Sequence, residues 1–428
     1  MRKDVPEPEK FRQAGNVGCL LTFGAKSVTI EHSESKGDNM LKRTVCIGAL
    51  LLALVCALSS CRVLDSLIGL VRKTEEETET RLPWDDSLPA WSAEETYSAA
   101  MAVLEDPTGG IVDISAAKYS YGTLCDDLEA LARAYPARFS YRSIGTTAAG
   151  REIWLGVLGN PEAPRQVVVS AAIHAREYLT ALLTMRQVEF YLANYGTGSY
   201  EGTPYYRLFE ETCFYILPMT NPDGVMLAQE GLDSLPNDEM KDFVRGIFET
   251  EGKENGYKTL SVFLSHWKAN ARGVDLNRNY DALWENYAKG PDRPESHQYK
   301  GPSPASEAET QALTGLISSL SNPVAVLCMH SQGEVVYWNC GQSGDIRQQT
   351  RLYAERIGDR TGYRVVNEQN NDASLSDWAV LKKGIVSITV ETGKGSYPMP
   401  ISQFPQMWEQ NYDLLPLTAA WFAKGAGT

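Results

Sequence analysis

Between residues 114 and 425 short apolar runs bounded by turns alternate with longer amphipathic stretches, and this rhythm constrains the chain more than any other feature. The runs Glu152–Leu158, Gln166–Ala172, Phe214–Met219, Val324–Met329 and Val386–Val390 are rich in Val and Ile, as strands buried on both faces are. Around them lie stretches of helical spacing, Leu124–Tyr135, Leu179–Tyr195, Ser306–Leu320, Gln348–Thr361 and Gln406–Lys424. Ser306, with Glu309 three residues on, predicts a capping box at one helix start. Strands separated by helices of this length predict a layered α/β fold with a largely parallel sheet. No internal repeat interrupts the pattern.

In such sheets functional groups gather beyond the carboxyl ends of the strands. Three of these ends carry ionisable residues. The run Gln166–Ala172 exits into Ile173-His174-Ala175-Arg176-Glu177, Val324–Met329 exits into His330, and Val386–Val390 exits into Glu391. A hydrolytic zinc needs about three ligands from His and carboxylate, with one position left for water. His174 and Glu177 lie three apart across a strand-to-helix turn and can face one point; His330 can complete the set from a neighbouring strand. Glu391 then remains as general base. HxxE alone is a weak signal, because a histidine beside a strand is more often a hydrogen-bonded core residue. Four such groups at matching strand ends carry far more weight.

Further motifs follow in order: Gly150-Arg151-Glu152-Ile153, HARE at His174–Glu177, NPDG at Asn221–Gly224, GVDLNRN at Gly273–Asn279, HSQGE at His330–Glu334, SDW at Ser376–Trp378 and ETG at Glu391–Gly393. Over roughly residues 116–425 this ordered set resembles the M14 zinc carboxypeptidases, the carboxypeptidase A family. The resemblance implies a three-layer α/β/α sandwich with a mixed, largely parallel central sheet. It implies one zinc per chain on His174, Glu177 and His330, with Glu391 as base and proton shuttle. It further implies that Asp275 orients His174, since a ligating imidazole needs its other N–H fixed. Asn277 and Arg278 resemble the pair that grips a substrate's terminal carboxylate, a task that suits the planar fork of Arg. Arg176 resembles a subsite arginine, and Ser376 stands at the specificity position before Asp377.

Two departures from the family pattern stand out. The cation that stabilises the oxyanion follows a tryptophan in the family; here Trp267 is followed by Lys268, and Arg272 is the other candidate. The family's mobile tyrosine lies nine residues before the SDW tryptophan, where this chain has Gln369. HSQGE, the missing tyrosine and the N-terminal signal described next together resemble a bacterial branch that includes γ-D-glutamyl-L-diamino acid peptidases. The expected reaction is zinc-assisted amide hydrolysis near a free carboxylate in peptidoglycan stem peptides. The alternatives are a broad carboxypeptidase that trims extracellular peptides and a catalytically inactive binding lipoprotein. A serine hydrolase is disfavoured, since no GxSxG is present.

Near the N-terminus Lys42 and Arg43 precede the uncharged apolar run Val45 to Leu58, which ends in Leu58-Ser59-Ser60-Cys61. A basic start, an apolar run of 14 residues and small residues at the exit describe a secretory signal, and the cysteine makes it resemble a lipobox. The expectation is lipidation of Cys61 and anchoring on the outer side of a bacterial cytoplasmic membrane. Residues 1–39 read as an upstream extension before Met40, residues 40–61 as the signal, 62–113 as an acidic tether and 114–428 as the catalytic domain. The net charge of -14 argues against nucleic acid as a partner. Cys125, Cys213, Cys328 and Cys340 have no metal-ligand spacing; buried thiols are expected, with a Cys328–Cys340 bridge left open.

Overall fold

The computed structural model describes residues 21–23, 26–28, 89–369 and 372–425. The expected signal, Cys61 and the tether up to residue 88 lie outside the described residues. The chain divides into two compact units, Met1–Pro83 and Trp84–Thr428. In the first, Leu21–Phe23 pairs antiparallel with Lys26–Val28.

The second unit is built on an eight-stranded sheet. In chain order its strands are β1 (Phe139–Thr146), β2 (Glu152–Leu158), β3 (Arg165–Ala171), β4 (Thr212–Leu217), β5 (Pro323–His330), β6 (Val335–Tyr337), β7 (Arg364–Val366) and β8 (Val386–Glu391). They lie side by side in the order β7-β6-β8-β5-β3-β4-β2-β1. The central four, β8, β5, β3 and β4, run parallel. The antiparallel pairings are β2 with β4, β1 with β2 and β6 with β8, so the sheet is mixed, as expected.

Side chains alternate across this sheet with period two, and both faces are covered. Val167, Val169 and Ala171 of β3, Ala325, Leu327 and Met329 of β5, and Val386, Ile388 and Val390 of β8 enter one core. The helices Leu179–Ala193, Gly344–Thr361 and Leu414–Ala423 contribute Leu182, Tyr353 and Leu417 to it. Val168, Val326 and Cys328 enter the other core, against Leu313 and Ile317 of helix Ala308–Ser319 and Leu375 and Trp378 of helix Leu375–Lys383. Burial on both faces is the reason these strands read as unbroken apolar runs. Residues from Leu227 to Ala271, joined by Ala175, form a third cluster around Val244, Phe263 and Trp267, so this stretch carries its own small core.

Several expectations need correction. The tether does not extend to residue 113: Ser92 caps a helix over Ala93–Glu105 in a capping box with Glu95, and Ala100 and Val103 join the main core. Ile111 and Val112 then donate their N–H groups to the Glu189 carboxylate at 2.6 and 3.0 Å. The capping box at Ser306 does not form. That helix begins at Ala308 with Glu307 in the cap position, the Ser306 hydroxyl donates to Glu307, and Glu309 turns inward toward Asn270. The helical stretch over Gln406–Lys424 is two helices, Phe404–Asn411 and Leu414–Ala423, broken where Asp413 pairs with Arg360 at 2.7 Å.

Candidate metal centre and cleft

Two turns place the first ligand pair. Ala172, just past β3, takes φ +48°, a conformation that costs a residue with a Cβ on the order of 1–2 kcal/mol. It is held there because its N–H donates to Thr180 Oγ1 at 2.9 Å and its carbonyl accepts from Asn221 N at 3.2 Å. The chain then presents His174 and enters the short 3₁₀ turn Ala175–Glu177. Asn221 of NPDG binds the carbonyls of Ile173 at 3.1 Å and Ala269 at 3.0 Å through its side-chain amide, tying the strand end to the loop that carries Lys268. Asp223 of the same motif pairs with Arg151 at 2.8 Å. These motif residues are scaffolding for the site.

His330 is the last residue of β5 and pairs in register with Glu391, the last residue of β8. His174, Glu177 and His330 therefore meet over the middle of the sheet, all buried, with potential ligand atoms within 4.8 Å of one another. His174 Nδ1 lies 2.9 Å from Glu177 Oε1, and His330 Nδ1 lies 3.0 Å from Glu177 Oε2. Each imidazole turns its other nitrogen to a second residue. His174 Nε2 faces Asp275 Oδ1 at 3.3 Å, and His330 Nε2 faces the Asn277 side-chain amide at 3.5 Å. Asp275 is fixed in turn, accepting from Asn277 N at 3.1 Å and Gln298 N at 3.0 Å. Two Nδ1 atoms and a carboxylate converging on one point, with outer partners in place, form a donor set that fits zinc.

The charges match this fit. Burial works to raise the carboxyls of Glu177 and Asp275, but the adjacent imidazoles outweigh it and hold both well below the usual range, Glu177 by His174 and His330, Asp275 by His174 with Arg278 and Lys268 assisting. Glu391 differs. Burial pushes its carboxyl up to about 7, with Glu177 adding to the rise and His330, Lys268 and Arg176 opposing it. A carboxyl poised near neutrality beside a metal site has the character of a general base.

A cleft of about 220 Å³ opens from this centre. Lys268, Asn277, Arg278, Ser376 and Glu391 all line it, together with His174 and His330. Arg272 does not; its Nε lies 3.3 Å from the buried Glu307 carboxylate and its side chain is 56% exposed, so of the pair Lys268 and Arg272 it is Lys268 that lines the cleft. Ser376 sits at the base, its hydroxyl 3.2 Å from Thr389 Oγ1 and 3.4 Å from Cys328 Sγ. Cys125, Cys213, Cys328 and Cys340 are all free thiols. Asn277 accepts from Leu375 N at 3.1 Å, so it joins His330 to the start of the helix that carries Ser376. Arg278 donates to its neighbour's carbonyl, Asn277 O, at 2.8 Å and to the Tyr287 hydroxyl at 3.3 Å.

Two residues near the centre escaped the sequence reading. Tyr397 presents its ring 3.6 Å from the Arg176 guanidinium and accepts from Gln332 N at 3.0 Å, so Arg176 is held against an aromatic face. Asp372 lies 3.5 Å from Arg278 Nη2 and 3.0 Å from Lys289 Nζ. Tyr397 stands six residues after Glu391 in the loop beyond β8, where its closeness to that strand end was the available signal. Gln369, in place of the family tyrosine, packs against Gly341.

The model of the zinc carboxypeptidase family matches residues 124–414. The chain belongs to the zinc carboxypeptidase family. It is 30% identical over 294 residues to γ-D-glutamyl-L-diamino acid endopeptidase 1 of Lysinibacillus sphaericus, covering 68% of this chain and 70% of that protein. It is 26% identical over 308 residues to mast cell carboxypeptidase A of Rattus norvegicus, covering 68% of each. Among solved structures, thrombin activatable fibrinolysis inhibitor superposes with a TM-score of 0.59 at 17% identity over 78% of this chain and 81% of that one. Carboxypeptidase A from Helicoverpa armigera gives 0.55 at 16% identity, covering 78% and 81%. The protein is a zinc metallopeptidase, and its His-Glu-His cluster is the set that could hold the ion.

Proposed function

We propose that the protein hydrolyses the amide between γ-D-glutamate and a diamino acid in peptidoglycan stem peptides, working outside the cytoplasmic membrane from a lipid anchor on Cys61. The observation that carries the substrate is the 30% identity, over 68% of this chain, to an endopeptidase whose name states that bond. The signal-like run before Cys61 supports the location, since such an enzyme would act where the wall polymer is.

His174, Glu177 and His330 would hold zinc, which when bound would supply Lewis acidity to the scissile carbonyl and to the attacking water. Asp275 keeps His174 in the tautomer that leaves Nδ1 free to ligate. Glu391 takes the proton from the attacking water and passes it to the leaving amine, a role that needs a carboxylate within reach of both. Lys268 stabilises the developing oxyanion from the cleft wall. Arg278, with Asn277, receives a carboxylate of the leaving residue and so aligns the bond. Ser376 offers a neutral hydroxyl to the leaving side chain, and Arg176, stacked on Tyr397, adds positive charge near Glu391.

The test is digestion of a defined stem tripeptide and a panel of ordinary C-terminal peptides, with products identified by mass spectrometry. Release of the diamino acid from γ-D-glutamate is the expected result. Trimming of the ordinary peptides alone would replace this reading with a general carboxypeptidase, and no cleavage of either by zinc-loaded protein would leave a binding protein.

A further inference from the structure

The wall of the cleft beside Arg278 carries a charge that the reaction described above does not use. Among the described residues that line the cleft the acids are Asp372, Asp377 and Glu391. Glu391 is taken by the proton transfer. Asp377 is only 1% exposed and its Oδ2 already accepts from Asp372 N, Ser374 N and Ser374 Oγ at 2.9–3.1 Å. Asp372 is the acid with capacity to spare. Its Oδ2 stands 3.5 Å from Arg278 Nη2, longer than a good charged hydrogen bond, and its Oδ1 meets only Lys289, whose side chain is 66% exposed.

A substrate carboxylate arriving at Arg278 changes this balance. Arg278 Nε is engaged by Tyr287, so the incoming carboxylate must use the edge of the guanidinium that now faces Asp372. Two carboxylates are then brought side by side in a partly desolvated wall, sharing the largely buried Arg278 while the exposed Lys289 meets only the far oxygen of Asp372, and like charges in such a place repel. A leaving residue that brings a carboxylate alone carries this penalty in full. A leaving residue that also brings a cation relieves it.

We infer that Asp372 is a specificity residue that receives the side-chain ammonium of a diamino acid on the leaving side of the scissile bond, while Arg278 holds that residue's carboxylate. The inference rests on the γ-D-glutamyl–diamino acid reading and deepens it, because it assigns the recognition of the second amino group to one side chain. Ser376 and Thr389 at the base of the cleft are neutral and offer no charge for this purpose. Lysine and diaminopimelate both present an ammonium on the far carbon of a straight side chain, in diaminopimelate beside a carboxylate on the same carbon, so the chemistry named is the ammonium. A substrate panel separates the two.

The experiment measures kcat/KM for wild type and Asp372→Asn, both zinc-loaded, on γ-D-glutamyl peptides whose leaving residue is lysine, meso-diaminopimelate or norleucine, and on the same lysine and norleucine residues in ordinary α-peptide linkage. Wild type should favour a diamino acid over norleucine by about tenfold or more, as one desolvated ion pair allows. Asp372→Asn should bring that ratio close to one, mainly through KM, since the ammonium is bound alike in ground and transition states. Zinc content and thermal midpoint check that the variant folds. Whether lysine or diaminopimelate gains more from Asp372 names the natural source, and either gain supports the assignment. If the γ-linked peptides are cut at equal rates whatever the leaving residue, the bond assignment stands and the role of Asp372 is wrong. If only α-linked peptides are cut, with a lysine preference that Asp372→Asn abolishes, the bond assignment is wrong and the role of Asp372 stands. An unchanged ratio in the variant overturns the role in every case.

Discussion

The metal end of the cleft is carried by strand ends, whereas its opposite wall is carried by loop residues such as Trp338, Asn339, Cys340, Asp372 and Ser374, and the two regions satisfy their polar groups differently. At the metal end the ligands and Asp275 are held in short contacts on strand ends and tight turns. His174 and His330 share Glu177, Asp275 is pinned by two N–H donors, and Glu391 stands in register with His330 on a paired strand. At the wall the charged pairs are longer or more exposed, as with Arg278, Asp372 and Lys289. Strand ends repeat their geometry closely whatever the loops do, so chemistry placed there tolerates sequence drift elsewhere. Loops can be remodelled without disturbing the metal, and it is here that this chain carries Gln369 and Asp372.

This contrast can be broken from the wall side. Arg278→Ala removes the receiver of a substrate carboxylate from a buried position and should lower kcat/KM by the equivalent of about 2–5 kcal/mol. Because the wall is separate from the metal end, bound zinc should stay at one per chain. If the carboxylate is gripped alike throughout the reaction, KM rises and kcat holds; if the grip also aligns the bond, kcat falls as well. Loss of zinc in this variant would show that wall and metal end are one cooperative unit.

A smaller effect sharpens the comparison away from the cleft. Glu309 is a buried acid without the compensation found at the metal end; burial pushes its carboxyl up to about 8, with Asp223 and Glu307 adding and Asn270 opposing. It is therefore protonated in the folded protein at neutral pH, whereas in the unfolded chain it ionises from its ordinary 4.5. The unfolded state then holds fewer protons, so this group's contribution falls as pH rises from about 4.5 to 8. Glu309→Gln should be nearly neutral for stability at pH 4 and stabilising by about 1–3 kcal/mol at pH 8. Denaturation curves of both proteins at the two pH values check it, and a gain that is equal at both would mean that Glu309 is ionised in the fold.

The same contrast separates what could be read in the sequence from what could not. The central strands were legible because burial on both faces leaves unbroken Val- and Ile-rich runs, and the metal cluster was legible because its ligands sit directly at the ends of those runs. The short strands β6 and β7 were not, since three residues each carry no readable period. The helix over Ala93–Glu105 was hidden by the acidic segment before it, although Ser92 and Glu95 spell a capping box. Ser306 and Glu309 spell the same signal and form no such box, because Asn279 occupies the serine hydroxyl and Asn270 faces the glutamate. Lys268 and Arg272 could not be separated by spacing alone, and it was the buried Glu307 that drew Arg272 away. Asp372 lines the cleft and Tyr397 meets Arg176 from loops whose path no local pattern fixes.

The central claim is that three strand-end ligands hold the metal and a fourth group, Glu391, does the proton transfer. It is tested most directly by stripping the protein with a chelator, restoring zinc by titration, and following bound metal and hydrolysis together in wild type and Glu391→Gln. The account predicts that one zinc per chain restores wild-type turnover, while the variant binds the same zinc with a kcat lower by about 10²–10⁴-fold, because its amide cannot accept the water's proton. Turnover that survives metal removal, or a Glu391→Gln protein that works at close to the wild-type rate, would contradict it.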